Sequence, residues 1–432
     1  MSARVLILAV EGCGLLWRLV KMRLADLQRR QPLPPEVADV YDAARYRKYL
    51  DYVADNRRAA LVFGCIRLLL TALLWLSGLF AALEGALGGN PYLTYLAACG
   101  IFLAAETAVD IAAGYYDTFH IEEKYGLNRQ SKKGFAKDTA LDLLLEVFLM
   151  GGLGLLLVFI GEHMAVWTKG FSVGPAAALL IIAAITAVIS LFALLSALLS
   201  LWVFKKQYTF TPMPEGELRA KSMALQEGAQ KKVRLIYVYD ESKKSTTKNA
   251  FLLKLLWHRE FGIADNFINE NAEEELLSVL SHEIGHLKHK KNLLNYAGYA
   301  LAALVFAAVA GLMWQPSPIL RMNAWVRASF SLTANNYYAL LGTLSALLTP
   351  LLRITGTFGR YRSRQEEHEA DREAVRNGYG EALIGTFKKL SSDELVNVNP
   401  HPVIEFMEYD HPGMAQRIRA IRQAEKALSA RE

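Results

Sequence analysis

The chain has 432 residues and a formal net charge of +6; 53% of its residues are hydrophobic and 21% are charged. A soluble domain carries about 25% charged residues, and a disordered chain would be less hydrophobic. The three cysteines (Cys13, Cys65 and Cys99) lie in or beside apolar segments, which argues against a disulfide scaffold. Because the apolar residues form long blocks between charged stretches, the sequence indicates a membrane protein.

Six of the apolar blocks are long enough, or nearly so, to cross a hydrocarbon core of about 30 Å as helices. A shorter block, residues 5–20, contains Glu11 and Arg18 and has no convincing cleavage site. We interpret it as a retained first span rather than a signal peptide. The six longer blocks are residues 59–83, 92–114, 140–161, 175–204, 293–314 and 328–352.

Lysine and arginine alternate between rich and poor connections along the chain. Segment 21–58 carries nine, 115–137 carries five and 205–292 carries fifteen, whereas each connection between them carries at most two. The positive-inside rule therefore places the rich segments and the C-terminus in the cytoplasm. No nucleic-acid partner is expected, because the basic residues are not interleaved with aromatic ones.

Several predicted spans contain ionisable residues. Glu106 and Asp110 are four residues apart, as are Asp142 and Glu146, so each pair lies on one helical face, and Arg67 lies in a third span. Such groups face a bundle interior or a water-filled cavity, because lipid solvates charge poorly. Both an ion-pair network and a hydrated chamber fit this pattern.

The largest soluble segment, 205–292, begins with strand-like sequence and ends with a helical pattern. Residues 233–238 and 250–257 predict two short strands. A helix is predicted from Asn271, with Glu274 completing a capping box. Its apolar stripe has helical spacing and consists of Leu276, Leu277, Leu280, Ile284 and Leu287.

The same predicted helix carries the sequence HEIGH at residues 282–286. Residues four apart project from one helical face, so His282 and His286 can bind one ion, and Glu283 lies beside them to act as a general base. Catalytic zinc takes three protein ligands and one open position. The acidic segment 366–371 supplies candidates for the third ligand, and spacing alone leaves Glu366, Glu367, His368 and Glu369 open.

These motifs together resemble those of the type I CAAX prenyl proteases, integral-membrane zinc endopeptidases related to the heat-shock protease HtpX. HEIGH matches the family's HExGH, and SRQEEHEAD at 363–371 resembles its S-R-x-x-E-x-x-A-D. The string FHIEEKYGLN at 119–128 is similar to a family loop. Further similar sequences are PPEV at 34–37, TPMPEGEL at 211–218, NAF at 249–251, and His411-Pro412 with Arg417-Ile418.

The resemblance implies a role for each candidate residue. One catalytic Zn²⁺ would be held by His282, His286 and Glu367, with Glu283 as the base. Asp371 would orient a ligand histidine and pair with Arg417, and His411 would help to stabilise the tetrahedral intermediate. Asn249 and Ala250 would belong to an edge strand that pairs with the substrate backbone.

The resemblance also implies the fold class: a mainly α membrane protein whose seven transmembrane helices enclose a chamber, capped by a cytoplasmic α+β gluzincin-type zinc protease domain. The expected divisions are spans one to five in 1–204 with cytoplasmic loops 21–58 and 115–139, the HExxH segment in 205–292, spans six and seven in 293–352, and the third ligand in 353–432. The expected location is a bacterial inner membrane, with the active site on the cytoplasmic side.

The expected function is hydrolysis of peptide or protein substrates, lipidated or membrane-inserted, by a membrane-embedded zinc metalloendopeptidase. The alternative is a quality-control protease without prenyl specificity. A metal carrier is disfavoured, because all nine histidines lie outside the six longer blocks. The sequence departs from the family pattern at four positions, and these departures concern the choice of substrate. They are Leu287, Lys291, Thr246 and Thr247.

Overall fold

The structure is a computed structural model that describes residues 1–169, 175–226, 233, 235–255, 258–288 and 316–430. It is mainly helical. The helices are α1 Ala3–Arg29, α2 Ala43–Leu76, α3 Leu79–Ala86, α4 Pro91–Tyr116, α5 Glu123–Tyr125, α6 Lys132–Val147, α7 Leu153–Lys169, α8 Pro175–Gln207, α9 Glu217–Ala224, α10 Asp265–Glu270, α11 Glu273–Lys288, α12 Pro316–Phe330, α13 Tyr337–Arg376, α14 Gly380–Asp393, α15 Pro402–Glu408 and α16 Met414–Ser429. Wider π-type turns at Asp117–Glu122 and Phe148–Gly152 connect α4 to α5 and α6 to α7.

Five helical stretches within the described residues are long and apolar enough to cross a membrane. They are Ala43–Leu76, Pro91–Tyr125, Lys132–His163, Ser190–Gln207 and Tyr337–Arg376. Each coincides with a predicted span, so the chain is a multi-pass membrane protein. The predicted span 293–314 lies outside the described residues. The predicted first span, 5–20, is helical as part of α1, but α1 is not among these five stretches.

Two predicted span boundaries were wrong. The predicted span 59–83 is interrupted after Leu76, because Gly78 takes a left-handed φ of 75° and starts the separate helix α3. The predicted span 328–352 begins nine residues late, at Tyr337, where the Asn336 side chain accepts a hydrogen bond from the backbone N–H of Ala339. The first break is only two residues long, Ser77 and Gly78, and the second consists of the more polar residues 331–336.

The charged residues of the spans make specific contacts. Arg67 of α2 forms an ion pair with Asp110 of α4. The carboxylate of Asp142 in α6 accepts a hydrogen bond of 2.7 Å from the Gln207 side chain at the end of α8. The first contact is an ion pair between neighbouring spans, and the second is a hydrogen bond to an uncharged amide.

The strands form a four-stranded sheet in the order β1-β2-β4-β3, with β1 at Phe210–Pro212, β2 at Leu235–Tyr239, β3 at Ala250–Leu255 and β4 at His258–Ala264. β2 runs parallel to β4, whereas β1 and β3 are antiparallel to their neighbours. Both predicted strands are confirmed as β2 and β3. Strands β1 and β4 were not predicted from the sequence.

Helix α11 carries HEIGH and packs its apolar stripe into the core beneath the sheet. All five residues of the predicted stripe are buried. The predicted cap was wrong: Asn271 ends α10 instead, and the Glu275 carboxylate accepts from the backbone N–H of Ala272 at 3.0 Å. Because α10 occupies Asp265–Glu270, the start of α11 is shifted to Glu273.

A second core joins the two ends of the chain. Val37, which precedes α2, and Tyr49, which lies in α2, pack against Leu383 of α14 and Ile418 of α16. This core holds the C-terminal helices α14 and α16 against the first part of α2. Helices α11, α13 and α16 meet between the two cores, and the candidate site lies at their meeting point.

Candidate active site

Helices α11 and α13 cross closely enough to bring their ligand-type side chains together. A Cβ on Gly285 would lie 2.6 Å from the Cα of Ala370, closer than any real Cβ contact. Glycine is therefore required at this position for the two backbones to approach. The sequence signal was present in the HExGH match, although no role was assigned to this glycine.

The close approach places His282 and His286 of α11 against Glu367 of α13. Nε2 of His282 lies 3.4 Å from one Glu367 oxygen, and Nε2 of His286 lies 3.2 Å from the other. The three potential ligand atoms all lie within 4.8 Å of one another. His282 and Glu367 are buried, and His286 is partly exposed, so the cluster has one open side.

This donor set fits a zinc ion. Zinc lies about 2.0–2.2 Å from nitrogen and oxygen ligands, so two ligands at tetrahedral corners are separated by about 3.4 Å. Both histidine-to-glutamate distances are close to that value. In addition, Oε2 of Glu367 is buried and receives no hydrogen bond, although the Arg417 guanidinium lies 3.5 Å from it. A buried carboxylate oxygen without a donor is costly unless a cation satisfies it.

The other candidates for the third ligand point elsewhere. Glu366 forms an ion pair of 3.4 Å with Arg362, and Glu369 is exposed. His368 is half-buried, but it is not part of the cluster of converging ligand atoms. Of the four candidates, Glu367 alone points at the two histidines, as the family resemblance predicts.

A second layer of side chains orients His282. Its Nδ1 lies 2.9 Å from Asp371, and the Arg417 guanidinium donates two hydrogen bonds to the same carboxylate, at 2.6 and 3.0 Å. Arg417 also stacks over the Phe387 ring, 4.1 Å from its centroid. Burial lowers the pKa of His282, but the adjacent carboxylates of Asp371 and Glu367 outweigh it and raise that pKa to about 9.

Glu283 and His411 lie on the open side of this cluster. Glu283 is partly exposed and follows His282 directly in α11. Its carboxylate is close enough to Arg417 to affect that residue. Burial lowers the pKa of Arg417, but the carboxylates of Asp371, Glu367 and Glu283 outweigh burial and raise that pKa. Nε2 of His411 lies 3.5 Å from Glu367, while 56% of the His411 side chain is exposed.

Asp410 was missed by the sequence reasoning. Its carboxylate lies 2.8 Å from Nδ1 of His411, an arrangement in which Nδ1 carries the hydrogen and Nε2 faces the cluster. Burial raises the pKa of Asp410, but the hydrogen bond from His411 outweighs it and lowers that pKa. Its only signal in the sequence was its position next to the His-Pro pair.

The predicted substrate-binding residues lie at the edge of the sheet. Ala250 opens β3, which pairs with β4 and lies last in the strand order. The carbonyl of Asn249 accepts from the backbone N–H of Ala264 at 2.9 Å. Within the described residues, no strand pairs with the other side of β3, so its outer edge is available to an extended peptide.

An HExxH helix whose histidines converge on a buried glutamate, in a chain with five long apolar helices, defines a membrane metallopeptidase. The model of the CAAX prenyl protease N-terminal region, described as five membrane helices, matches residues 23–195, and that of peptidase family M48 matches residues 212–425. The chain therefore belongs to the CAAX prenyl protease family and is a metalloendopeptidase.

Individual relatives agree with this assignment. The CAAX prenyl protease 1 homolog of Arabidopsis thaliana is 25% identical over 404 residues, which cover 90% of each chain. The probable CAAX prenyl protease 1 of Schizosaccharomyces pombe is 27% identical over 427 residues, covering 93% of this chain and 84% of that protein. The crystal structure of S. mikatae Ste24p shares the fold, with a TM-score of 0.74 at 21% identity over 98% of this chain and 99% of that one.

Proposed function

We propose that the chain holds one catalytic zinc ion between His282, His286 and Glu367 and hydrolyses peptide bonds there. The observation that carries the proposal is the convergence of these three side chains, with ligand atoms within 4.8 Å of one another. The two imidazoles and one carboxylate are the ligand types of known zinc peptidases. When bound, zinc supplies Lewis-acid chemistry, polarising the scissile carbonyl and acidifying the attacking water.

The chain's own residues move the protons. Glu283 accepts a proton from the attacking water and returns it to the leaving amine. His411, with both ring nitrogens protonated, donates from Nδ1 to Asp410 and from Nε2 to the oxygen on which negative charge develops. Asp371 and Arg417 keep His282 in the orientation that leaves Nε2 free for the ion.

Substrate binding is assigned to the outer edge of β3. An extended peptide that pairs with Ala250 and its neighbours would gain main-chain hydrogen bonds and run past the HEIGH helix. Main-chain pairing selects an extended conformation but little sequence. Side-chain preference is therefore assigned to the surroundings of β3, where Thr246 and Thr247 precede the strand.

The membrane part is proposed to contain seven spans, with α1 and residues 293–314 added to the five apolar stretches. They would enclose a hydrated chamber lined by charged residues such as Arg67 and Asp110. The alternating lysine and arginine counts support a cytoplasmic active site. The membrane is proposed to be a bacterial inner membrane, because the connections between the spans are short. The boundaries between the membrane segments and the soluble segments, at residues 204, 292 and 352, are part of this proposal.

The substrate is proposed to be a peptide with a lipidated C-terminus, as the names of the relatives suggest for those proteins. The test compares a prenylated peptide with the same peptide without the lipid. A preference for the prenylated peptide in kcat/KM supports this assignment. Equal cleavage of the two peptides would favour the quality-control alternative instead.

The decisive experiment for the chemistry is Glu283→Gln in purified, zinc-loaded protein. We expect peptide cleavage to fall to background while one zinc per chain is retained, because only the proton acceptor is lost. The matched control is Glu274→Gln, an exposed glutamate of the same helix, which should cleave like the wild type. Undiminished cleavage by Glu283→Gln would overturn the assignment.

A further inference from the structure

The segment that carries His411, residues 409–413, connects α15 to α16 and has no regular secondary structure of its own. We infer that Arg364 and Glu405 are positioning residues that fix the two ends of this segment and so hold His411 at the metal site. The inference rests on the proposed function of His411. It assigns a role to two buried charged residues that the chemistry above does not use.

Arg364 fixes the first end of the segment. Its guanidinium donates to the carbonyl oxygens of Tyr409, Glu405 (3.1 Å) and Phe406 (3.3 Å). The last carbonyls of a helix have no partners within that helix, and a cation satisfies them best. Arg364 is only 7% exposed, and its bond to the Glu405 carbonyl, which also accepts from the backbone N–H of Tyr409 at 3.1 Å, is buried.

Glu405 fixes the other end of the segment. Its carboxylate accepts from the backbone N–H of Gly413 at 2.9 Å, and this bond is buried. A Cβ on Gly413 would lie 3.1 Å from the same carboxylate, so glycine allows the close approach. Gly413 also precedes α16, the helix that carries Arg417 to Asp371. One carboxylate therefore links the end of the His411 segment to the helix behind the metal site.

Between these two fixed ends, the sequence restricts the backbone of His411. Pro412 fixes its own φ and excludes helical conformations for the residue before it. Asp410 then orients the imidazole through Nδ1. With the ends fixed and the middle restricted, Nε2 has few alternatives to its place 3.5 Å from Glu367.

Arg364 also sets the distance between His411 and the metal ligands. It lies three residues before Glu367 on α13, so one rigid helix carries both a metal ligand and the side chain that holds the His411 segment. The imidazole is 56% exposed and makes few packing contacts, so hydrogen bonds to the backbone must supply its order. This explains why two charged residues are buried here beside main-chain groups.

The first test is amide hydrogen exchange of the whole protein in detergent, which does not depend on activity. In Glu405→Ala we expect exchange in peptides covering 409–414 to rise roughly tenfold, as expected for one lost hydrogen bond, without a rise in α11. Glu405→Gln keeps an acceptor oxygen and should exchange like the wild type. Arg362→Ala, on the same helix as Arg364, is the matched control. Unchanged exchange in Glu405→Ala would overturn the inference.

The second test is steady-state cleavage at constant zinc content. We expect Glu405→Ala and Arg364→Lys each to lower kcat roughly tenfold with little change in KM, and His411→Ala to lower it about 10²-fold. Added to His411→Ala, either change should cost nothing further, because the residue being positioned is already absent. Equal, additive losses in both backgrounds would show a general structural role and overturn the inference. A His411→Ala variant with wild-type kcat would instead contradict the function proposed for His411, whereas the exchange result would still stand.

Discussion

The metal site and the His411 segment lie side by side but are held by different kinds of structure. His282, His286 and Glu367 project from two long helices whose crossing is fixed by backbone contact at Gly285. The segment 409–413 is held by buried side chains that bond to its main chain. Helix periodicity therefore sets the first geometry, and individual hydrogen bonds set the second.

This difference predicts different responses to substitution. A helix-borne site fails when a ligand or the helix crossing is changed, and failure includes loss of the metal. A segment held by hydrogen bonds loses order gradually, and the metal remains bound. The four predictions below test that contrast, from the largest expected effect to the smallest.

Replacement of the third ligand should have the largest effect. Glu367→Gln removes the carboxylate charge, so we expect zinc content to fall from one per chain to nearly none and cleavage to fall to background. Glu366, one residue earlier, pairs only with Arg362 among the described ion pairs. Glu366→Gln should therefore keep both its zinc and its cleavage activity. Metal analysis and a peptidase assay on the two proteins provide the measurement. Full zinc content in Glu367→Gln would contradict the ligand assignment.

Separation of the two helices should come next. Gly285→Ala places a methyl group 2.6 Å from the backbone of Ala370, which forces α11 away from α13. A displacement of about 1 Å at a reacting centre can cost roughly 10²-fold in rate, so we expect a loss of that order together with weaker zinc binding. Gly359→Ala is a suitable control, because an added Cβ there meets nothing within 4 Å. If both variants were equally active, the close crossing would not be what fixes the site.

Loss of the residue behind His282 should have a smaller effect. Asp371→Asn keeps the size of the side chain but weakens the bonds to His282 and Arg417. We expect zinc affinity to fall about 10–100-fold, the usual cost of losing such a partner, with the activity recovered at excess zinc. Titration with a competing chelator measures the affinity, and Glu369→Gln on the exposed face of α13 serves as the comparison. Activity that excess zinc fails to restore would contradict this role.

The smallest effect concerns Glu394, which supports β3 as Glu405 supports the His411 segment. Its carboxylate accepts from the backbone N–H of Lys248 at 2.9 Å, just before the predicted substrate strand. Burial raises the pKa of Glu394, Lys248 lowers it, and the carboxylates of Asp393 and Glu241 raise it, so that the net pKa is about 7.

A carboxyl group whose pKa is raised by folding costs stability as the pH rises from its unfolded value of 4.5 to about 7. Glu394→Gln keeps the hydrogen-bond acceptor without the charge. We therefore expect its unfolding temperature to exceed that of the wild type by several degrees at pH 8 and to match it at pH 4. Thermal unfolding in detergent at both pH values is the measurement. The same difference at both values would exclude a titrating Glu394.

The same contrast explains what the sequence could predict. The proposed zinc ligands of α11, its apolar stripe and most of the spans follow a helical period or an apolar run, and both are local properties of the chain. The start of α11 was misplaced because the short helix α10 precedes it. Ser331, with a φ of 58°, lies in the break that ends the apolar run before Tyr337.

The roles of Arg364, Glu405 and Asp410 could not be predicted in the same way. Arg364 acts on a segment brought close only by the tertiary fold, because it lies 45 positions before Tyr409 in the chain. Glu405 and Asp410 are nearer to their partners, Gly413 and His411, but no helical or strand period links them. The family motif flagged Arg364 through its match to S-R-x-x-E, but a motif does not say what a side chain bonds to. Every residue has a main-chain carbonyl, so a contact to such a carbonyl leaves no pattern in the sequence of the segment that accepts the hydrogen bond.

Helix α13 runs without interruption from Tyr337 in the last apolar stretch to Arg376 beyond the metal site. At 1.5 Å per residue, Glu367 lies about 22 Å along the axis from Leu352. If that span tilted by about 5° in the bilayer, Glu367 would move by about 2 Å, the length of one zinc–ligand bond. The helix thus connects the membrane part directly to the candidate metal site, so a tilt of the span relative to α11 would change the proposed coordination geometry.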